Sequence, residues 1–144
     1  MAEGVFRRRV KDAGLEHAFA IDSAGTIGYH ADNPPDYRAQ ATTIMYGTDI
    51  SEQRSRKLRA SDFHDYDYIL AMDRDNYHDM VSAAPTQAHS RITLFLSHHG
   101  DTAEKEVPDP YYGGDDGFEL VYHLVDGAAA GLLENLIKTH NLAK

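Results

Sequence analysis

Tyr66-Asp67-Tyr68-Ile69-Leu70-Ala71-Met72-Asp73 decides the fold of this chain. Its apolar centre, bounded by polar residues, predicts a short strand. Asp73 suits a helix N-cap, and Tyr77, Met80, Val81 and Ala84 follow at helical spacing until Pro85 ends the pattern. A strand that runs straight into a capped helix is the building unit of a parallel sheet.

The same alternation extends both ways. Downstream, Arg91-Ile92-Thr93-Leu94-Phe95-Leu96-Ser97 reads as another strand, and its unbroken apolar centre suits coverage on both faces. Upstream, Phe19-Ala20-Ile21-Asp22-Ser23-Ala24-Gly25 reads as a strand entering a glycine turn. Residues 2–13 carry Val5, Phe6, Val10 and Ala13 at helical spacing before Gly14. After the break at Asn33-Pro34-Pro35-Asp36, Pro35 can open a helix through Ala39, Ala41, Ile44 and Met45, closed by Gly47. The clearest helix comes last. Phe118, Val121, Tyr122, Val125, Ala128, Ala129, Leu132, Leu136 and Ile137 make one wide apolar stripe, with Asp116 and Glu119 spaced like a capping box. Strands alternating with helices predict one α/β domain over residues 1–144, with right-handed crossovers.

Composition narrows the function. The chain has 144 residues, 23 acidic against 14 basic, and no cysteine. A net charge of −9 disfavours a nucleic-acid partner. No apolar run approaches the roughly 20 residues of a spanning helix, so no membrane partner is expected. No apolar leader follows the basic cluster Arg7-Arg8-Arg9, and the cytoplasm is the expected compartment. That cluster and Arg54-Ser55-Arg56-Lys57-Leu58-Arg59 read either as solvated faces or as a rim attracting an anionic substrate. Nine histidines show no metalloprotease-like spacing, and Asp109, Asp115 and Asp116 lack the alternation of a calcium loop. No metal or cofactor is expected. Taken alone, Asp109-Pro110 ahead of Gly113-Gly114 is ordinary turn chemistry.

Taken together, five segments in order resemble the low-molecular-weight protein-tyrosine phosphatases over nearly the whole chain. They are residues 1–7, Asp22-Ser23-Ala24-Gly25-Thr26, Asn33-Pro34-Pro35-Asp36, Tyr68-Ile69-Leu70-Ala71-Met72-Asp73 and Asp109-Pro110-Tyr111-Tyr112-Gly113. The resemblance implies a three-layer α/β fold around a parallel four-stranded sheet and hydrolysis of phosphotyrosine through a phosphocysteine. It makes Asp109 the general acid, which protonates the departing tyrosine oxygen and then deprotonates water. It makes Tyr111 and Tyr112 an apolar wall around the substrate ring, and Tyr29 and His30 the facing side of the cleft. Gln53 stands where many members have a histidine that supports the phosphate loop.

The same resemblance exposes a gap. Members carry a Cys-(X)5-Arg-Ser-Pro loop feeding the helix that begins Met-Ala-Glu, and here that Met is Met1. First strand, phosphate loop, nucleophilic cysteine and phosphate-binding arginine are missing together, which reads as an N-terminally truncated domain. The chain is expected not to turn over phosphotyrosine or small aryl phosphates. A non-catalytic module binding phosphorylated or acidic partners is the alternative, and arsenate reduction on the same fold would need several cysteines. Loss of four or five buried apolar side chains at about 1.5–3 kcal/mol each rivals the whole stability of a domain. The expectation is a weak monomer, or a homo-oligomer that hides unpaired strand edges.

Overall fold

Helix α1 (Ala2–Asp12) buries Gly4, Val5, Phe6 and Val10 on one face, and Gly14 at φ 72° closes it. The computed structural model describes residues 1–26, 32–108, 110 and 115–143, with residues 115 and 116 described by their helical backbone alone. Its order is α1, α2 (Tyr37–Met45), α3 (Asp62–Asp65), β1 (Ile69–Ala71), α4 (Arg74–Ala83), β2 (Ile92–Leu94) and α5 (Asp115–His140). β1 and β2 pair in parallel, Ile69 opposite Ile92 and Ala71 opposite Leu94. α4 makes the crossover. It starts where Asp73 accepts a hydrogen bond from the Asn76 N–H at 2.7 Å, as the sequence predicts for that cap.

The fold class is therefore α/β with a small parallel sheet, flanked by two apolar clusters. One joins α1 and α5 through Val5, Val10, Val125, Ala128 and Leu132. The other joins Phe63, Ile69, Ala71, Met80 and Ile92. Side chains of β1 alternate between them: Ile69 and Ala71 enter the second cluster, Leu70 and Met72 pack against the first. Among the described residues no helix is long and apolar enough to cross a membrane.

Three local expectations are corrected. Residues 19–25 form no strand: Gly25 alone bridges Lys57, in parallel. Among the described residues no strand lies beside them to pair with, and an open groove separates them from β1. The apolar face assigned to α2 is not buried, for Ile44 and Met45 are 56% and 74% exposed. Thr43 is the buried residue there, its hydroxyl satisfied by the carbonyls of Ala39 and Gln40. The third strand stops at Leu94, after which Phe95–His98 curl into a 3₁₀ turn.

That turn explains two glycines of α5. A β-carbon on Gly131 would stand 1.8 Å from the His98 carbonyl oxygen, and one on Gly127 would strike the His99 ring. The predicted stripe is buried as expected, apart from the half-buried Ile137, but α5 starts at Asp115, so Asp116 lies inside the helix. Glu119 accepts the Tyr46 hydroxyl, and Tyr46 stacks on Tyr122 at 4.1 Å. Gly131→Ala should destabilise by about 1–3 kcal/mol despite alanine's better helix propensity, because backbone must move. Urea unfolding checks this; an unchanged or raised midpoint would contradict it.

Candidate functional site

Asp109, Tyr111, Tyr112, Tyr29 and His30 all lie outside the described residues. What the structure places is the framework that flanks the two stretches holding them. Residues 55–58 form a rail. Gly25 donates its N–H to the Arg56 carbonyl and accepts from the Leu58 N–H, at 2.9 and 2.8 Å. Asp32 donates to the Ser55 carbonyl, and Asn33 accepts from the Ser55 N–H and donates to its hydroxyl. The stretch holding Tyr29 and His30 thus leaves this rail after Gly25 and Thr26 and returns to it at Asp32, whose φ of 67° turns the chain back.

The stretch holding Asp109 is held at both ends as well. Val107 donates its N–H to the Met72 carbonyl at 2.8 Å, and Glu106 accepts from the Arg74 N–H and guanidinium. These bonds dock residues 106–107 at the C-terminal end of β1, where open α/β sheets build their sites. On the far side, Gly117 in the first turn of α5 lets the Pro110 carbonyl approach; a β-carbon there would stand 2.6 Å from that oxygen.

A groove of about 340 Å³ lies between residues 21–26 and β1. Phe6, Phe95 and Leu132 reach it from one apolar cluster, Met80 and Leu58 from the other. The α-amino group of Met1 is buried beside it. Desolvation holds that pKa below its ordinary value, with the Glu3 carboxylate opposing.

Arg56 spans one end of the groove. Its Nε bonds Asp22 at 3.0 Å, and its two terminal nitrogens grip Asp62 at 2.9 and 3.1 Å. This bidentate pairing holds the guanidinium pKa above its usual value. For Arg56 neither reading of the Arg54–Arg59 stretch holds: its guanidinium is tied to two carboxylates of its own chain. In the other basic cluster Arg7 pairs with Glu3, Arg8 with Asp12 and Arg9 with Asp126. Gln53 lies half-buried beside Gly4 of α1. Reasoning from sequence missed the Asp22–Arg56–Asp62 triad. Its only signal was the oppositely charged residues themselves, separated by up to 40 positions.

Burial alone would raise the pKa of Asp62, which is 4% exposed. Hydrogen bonds from Arg56 and the Arg59 N–H overcome it and leave the carboxyl below its ordinary value. A folded pKa beneath the unfolded one stabilises above the unfolded value, near 4, and is lost as pH falls through the folded value. Asp62→Asn should therefore cost about 1–3 kcal/mol at neutral pH and flatten the acid limb of the stability profile below pH 4. Urea midpoints at pH 7 and below 4 measure both. An unaltered acid limb would contradict the assignment.

The comparisons with known proteins agree with this geometry. A family model described as low molecular weight phosphotyrosine protein phosphatase matches residues 1–142. A putative low molecular weight protein-tyrosine-phosphatase of Synechocystis is 37% identical over 95% of this chain and 87% of its own. The human low molecular weight phosphotyrosine protein phosphatase is 38% identical over 85% of this chain and 77% of its own. Among solved structures, an Entamoeba histolytica protein tyrosine phosphatase with Hepes in its active site superimposes with a TM-score of 0.91. It is 33% identical and covers 98% of this chain but 89% of its own. YfkJ of Bacillus subtilis gives a TM-score of 0.89 at 35% identity, covering 96% of this chain and 86% of its own. The chain belongs to the low molecular weight phosphotyrosine protein phosphatase family.

Proposed function

We propose that this chain holds the acid-donating half of a phosphotyrosine hydrolase and does not turn over phosphotyrosine alone. One observation carries the reading: 144 residues that match the family model from residue 1 to residue 142 contain no cysteine. A thiolate is the nucleophile the family resemblance calls for. It would attack phosphorus, break the bond to the tyrosine oxygen and leave a phosphocysteine for water to hydrolyse. Asp109 would give its proton to the departing phenolate and take one from the attacking water. Such transfer contributes about 10²–10⁴-fold, and only where a phosphoryl acceptor stands opposite.

The coverage figures support reading residues 1–144 as one domain of the family, with part of each relative's length left unmatched. The Entamoeba structure accounts for nearly all of this chain and keeps about a tenth of its own length without counterpart. That extra length is where we place the first strand, the cysteine loop and the phosphate-binding arginine. Tyr29, His30, Tyr111 and Tyr112 would then line the substrate cleft, on the two stretches flanked by the rail at 55–58 and the anchors at Met72 and Gly117. Phosphotyrosine in a protein or a small aryl phosphate is the substrate class. A second reading, a module that binds phosphorylated or acidic partners, shares the missing thiol but would still want an anion cradle; saturable phosphotyrosine binding without turnover would identify it.

Purified chain given p-nitrophenyl phosphate should show no hydrolysis above the uncatalysed rate. Turnover at a rate typical of enzymes, about 1 s⁻¹ or more, would overturn the proposal. In a chimera that adds a strand and a Cys-(X)5-Arg-Ser-Pro loop ahead of Met1, activity should return. Asp109→Asn in that chimera should lower kcat on phenyl phosphate by about 10²–10⁴-fold. The loss should be smaller on p-nitrophenyl phosphate, whose leaving group needs less protonation. Equal losses on the two substrates would remove Asp109 from the acid role.

A further inference from the structure

We infer that the pocket between α1 and α5 binds a small zwitterion, a carboxylate that also bears an ammonium group and a short apolar tail. The pocket measures about 490 Å³, a size that suits a small molecule. It lies on another face of α1 from the groove beside β1, and the two share no lining residue. Two hydroxyls mark it. Tyr122 is 8% exposed and Thr48 7%, and both line the pocket. Among the described residues neither hydroxyl has a hydrogen-bond partner, yet no fully enclosed side-chain polar atom goes without one. Both hydroxyls therefore open on the pocket. Tyr46 makes the contrast: its own hydroxyl is taken by Glu119, while its ring stacks on Tyr122 and holds that second ring in place. Polar groups this buried are ordinarily paired within the chain. Here the partner must come from outside it.

The charges around the hydroxyls specify the occupant. Arg8 bonds both oxygens of Asp12 through Nε and also the Gly47 carbonyl, and Arg9 bonds Asp126 through Nε at 2.7 Å. All four charged side chains line the pocket. Among the described residues the two terminal nitrogens of Arg9 have no acceptor, and the second oxygen of Asp126 has no donor. Burial raises the Tyr122 pKa, with Asp126 adding to the rise and Arg9 and Arg8 opposing it. All three charges thus act on that hydroxyl, which stays protonated as a donor. Two guanidinium groups against two carboxylates leave the pocket without net charge. A free anion would meet both carboxylates, in a chain whose net charge is already −9, and a free cation would meet both arginines. A ligand with one charge of each sign satisfies both pairs. Its carboxylate would take the open nitrogens of Arg9 side by side, as guanidinium geometry favours, with the Tyr122 and Thr48 hydroxyls as further donors. Its ammonium would donate to the open oxygen of Asp126. Val5, Ala13 and Leu133 offer an apolar wall for the tail.

The test titrates the full 144-residue chain with L-leucine and follows nuclear magnetic resonance shifts. Its controls are 4-methylpentanoate, which keeps the carboxylate and tail without the ammonium, and isopentylamine, which keeps the ammonium and tail without the carboxylate. Leucine should shift the Arg8 and Arg9 Nε resonances and the Thr48 and Tyr122 amides saturably, and each control should bind about tenfold more weakly or less. Tyr122→Phe keeps the ring stack and Thr48→Val keeps the side-chain shape, so each removes one hydroxyl alone. Each should weaken leucine binding severalfold without lowering the melting temperature, because the chain itself makes no bond to that hydroxyl. Absent saturation, shifts confined to another surface, or a control that binds as well as leucine would overturn the inference. So would unchanged affinity in either variant, or a variant that melts lower, since its hydroxyl would then be serving the fold. The pocket holds none of the residues assigned to phosphotyrosine hydrolysis, so failure to bind leaves the phosphatase reading standing.

Discussion

β1 is sandwiched between two apolar clusters yet, among the described residues, has β2 as its strand partner along one edge only, and most of the structure answers to that constraint. A strand covered on both faces must be apolar throughout, which is why Ile69-Leu70-Ala71-Met72 is an unbroken apolar run. Its C-terminal end gathers anchors of two neighbouring segments. Asp73 caps α4 there, and Val107 hydrogen-bonds to Met72, bringing the approach to Asp109 to the same point. The open edge determines the rest. Facing a groove instead of a neighbour, residues 19–24 do not become a strand, although their composition suits one.

Much of the fold was legible because the signals were local. The α5 stripe needs only helical spacing, and the Asp73 cap needs only an aspartate before a periodic run. The failures share a physical cause, since each depended on something distant. Ile44 and Met45 have helical periodicity, but the face of α2 that meets α5 is set by how the helix is laid down, and Thr43 took the buried position. Phe95 and Leu96 continue an apolar run without continuing a strand. They plug the core from a 3₁₀ turn that Gly127 and Gly131 let approach α5.

The site divides in the same way. Its motifs are recognisable as contiguous words, and the family they suggest is the family to which the chain belongs. Its scaffolding is not contiguous. The rail that returns the chain at Asp32 uses Ser55 through Leu58, and the Arg56 clamp joins Asp22 to Asp62 across the sequence. Ion pairs between distant residues leave no periodic trace, so a stretch rich in arginine can be read as a substrate rim until its partners are seen.

The central proposal is that this cysteine-free polypeptide has no group to accept the phosphoryl moiety, and that Asp109 is the acid that would release the phenol. Rapid mixing with excess aryl phosphate, acid quenching and intact-mass measurement test it directly. The account predicts a chain of unchanged mass at every time point. A transient species heavier by one phosphoryl group would contradict it, because another side chain would then be acting as the nucleophile.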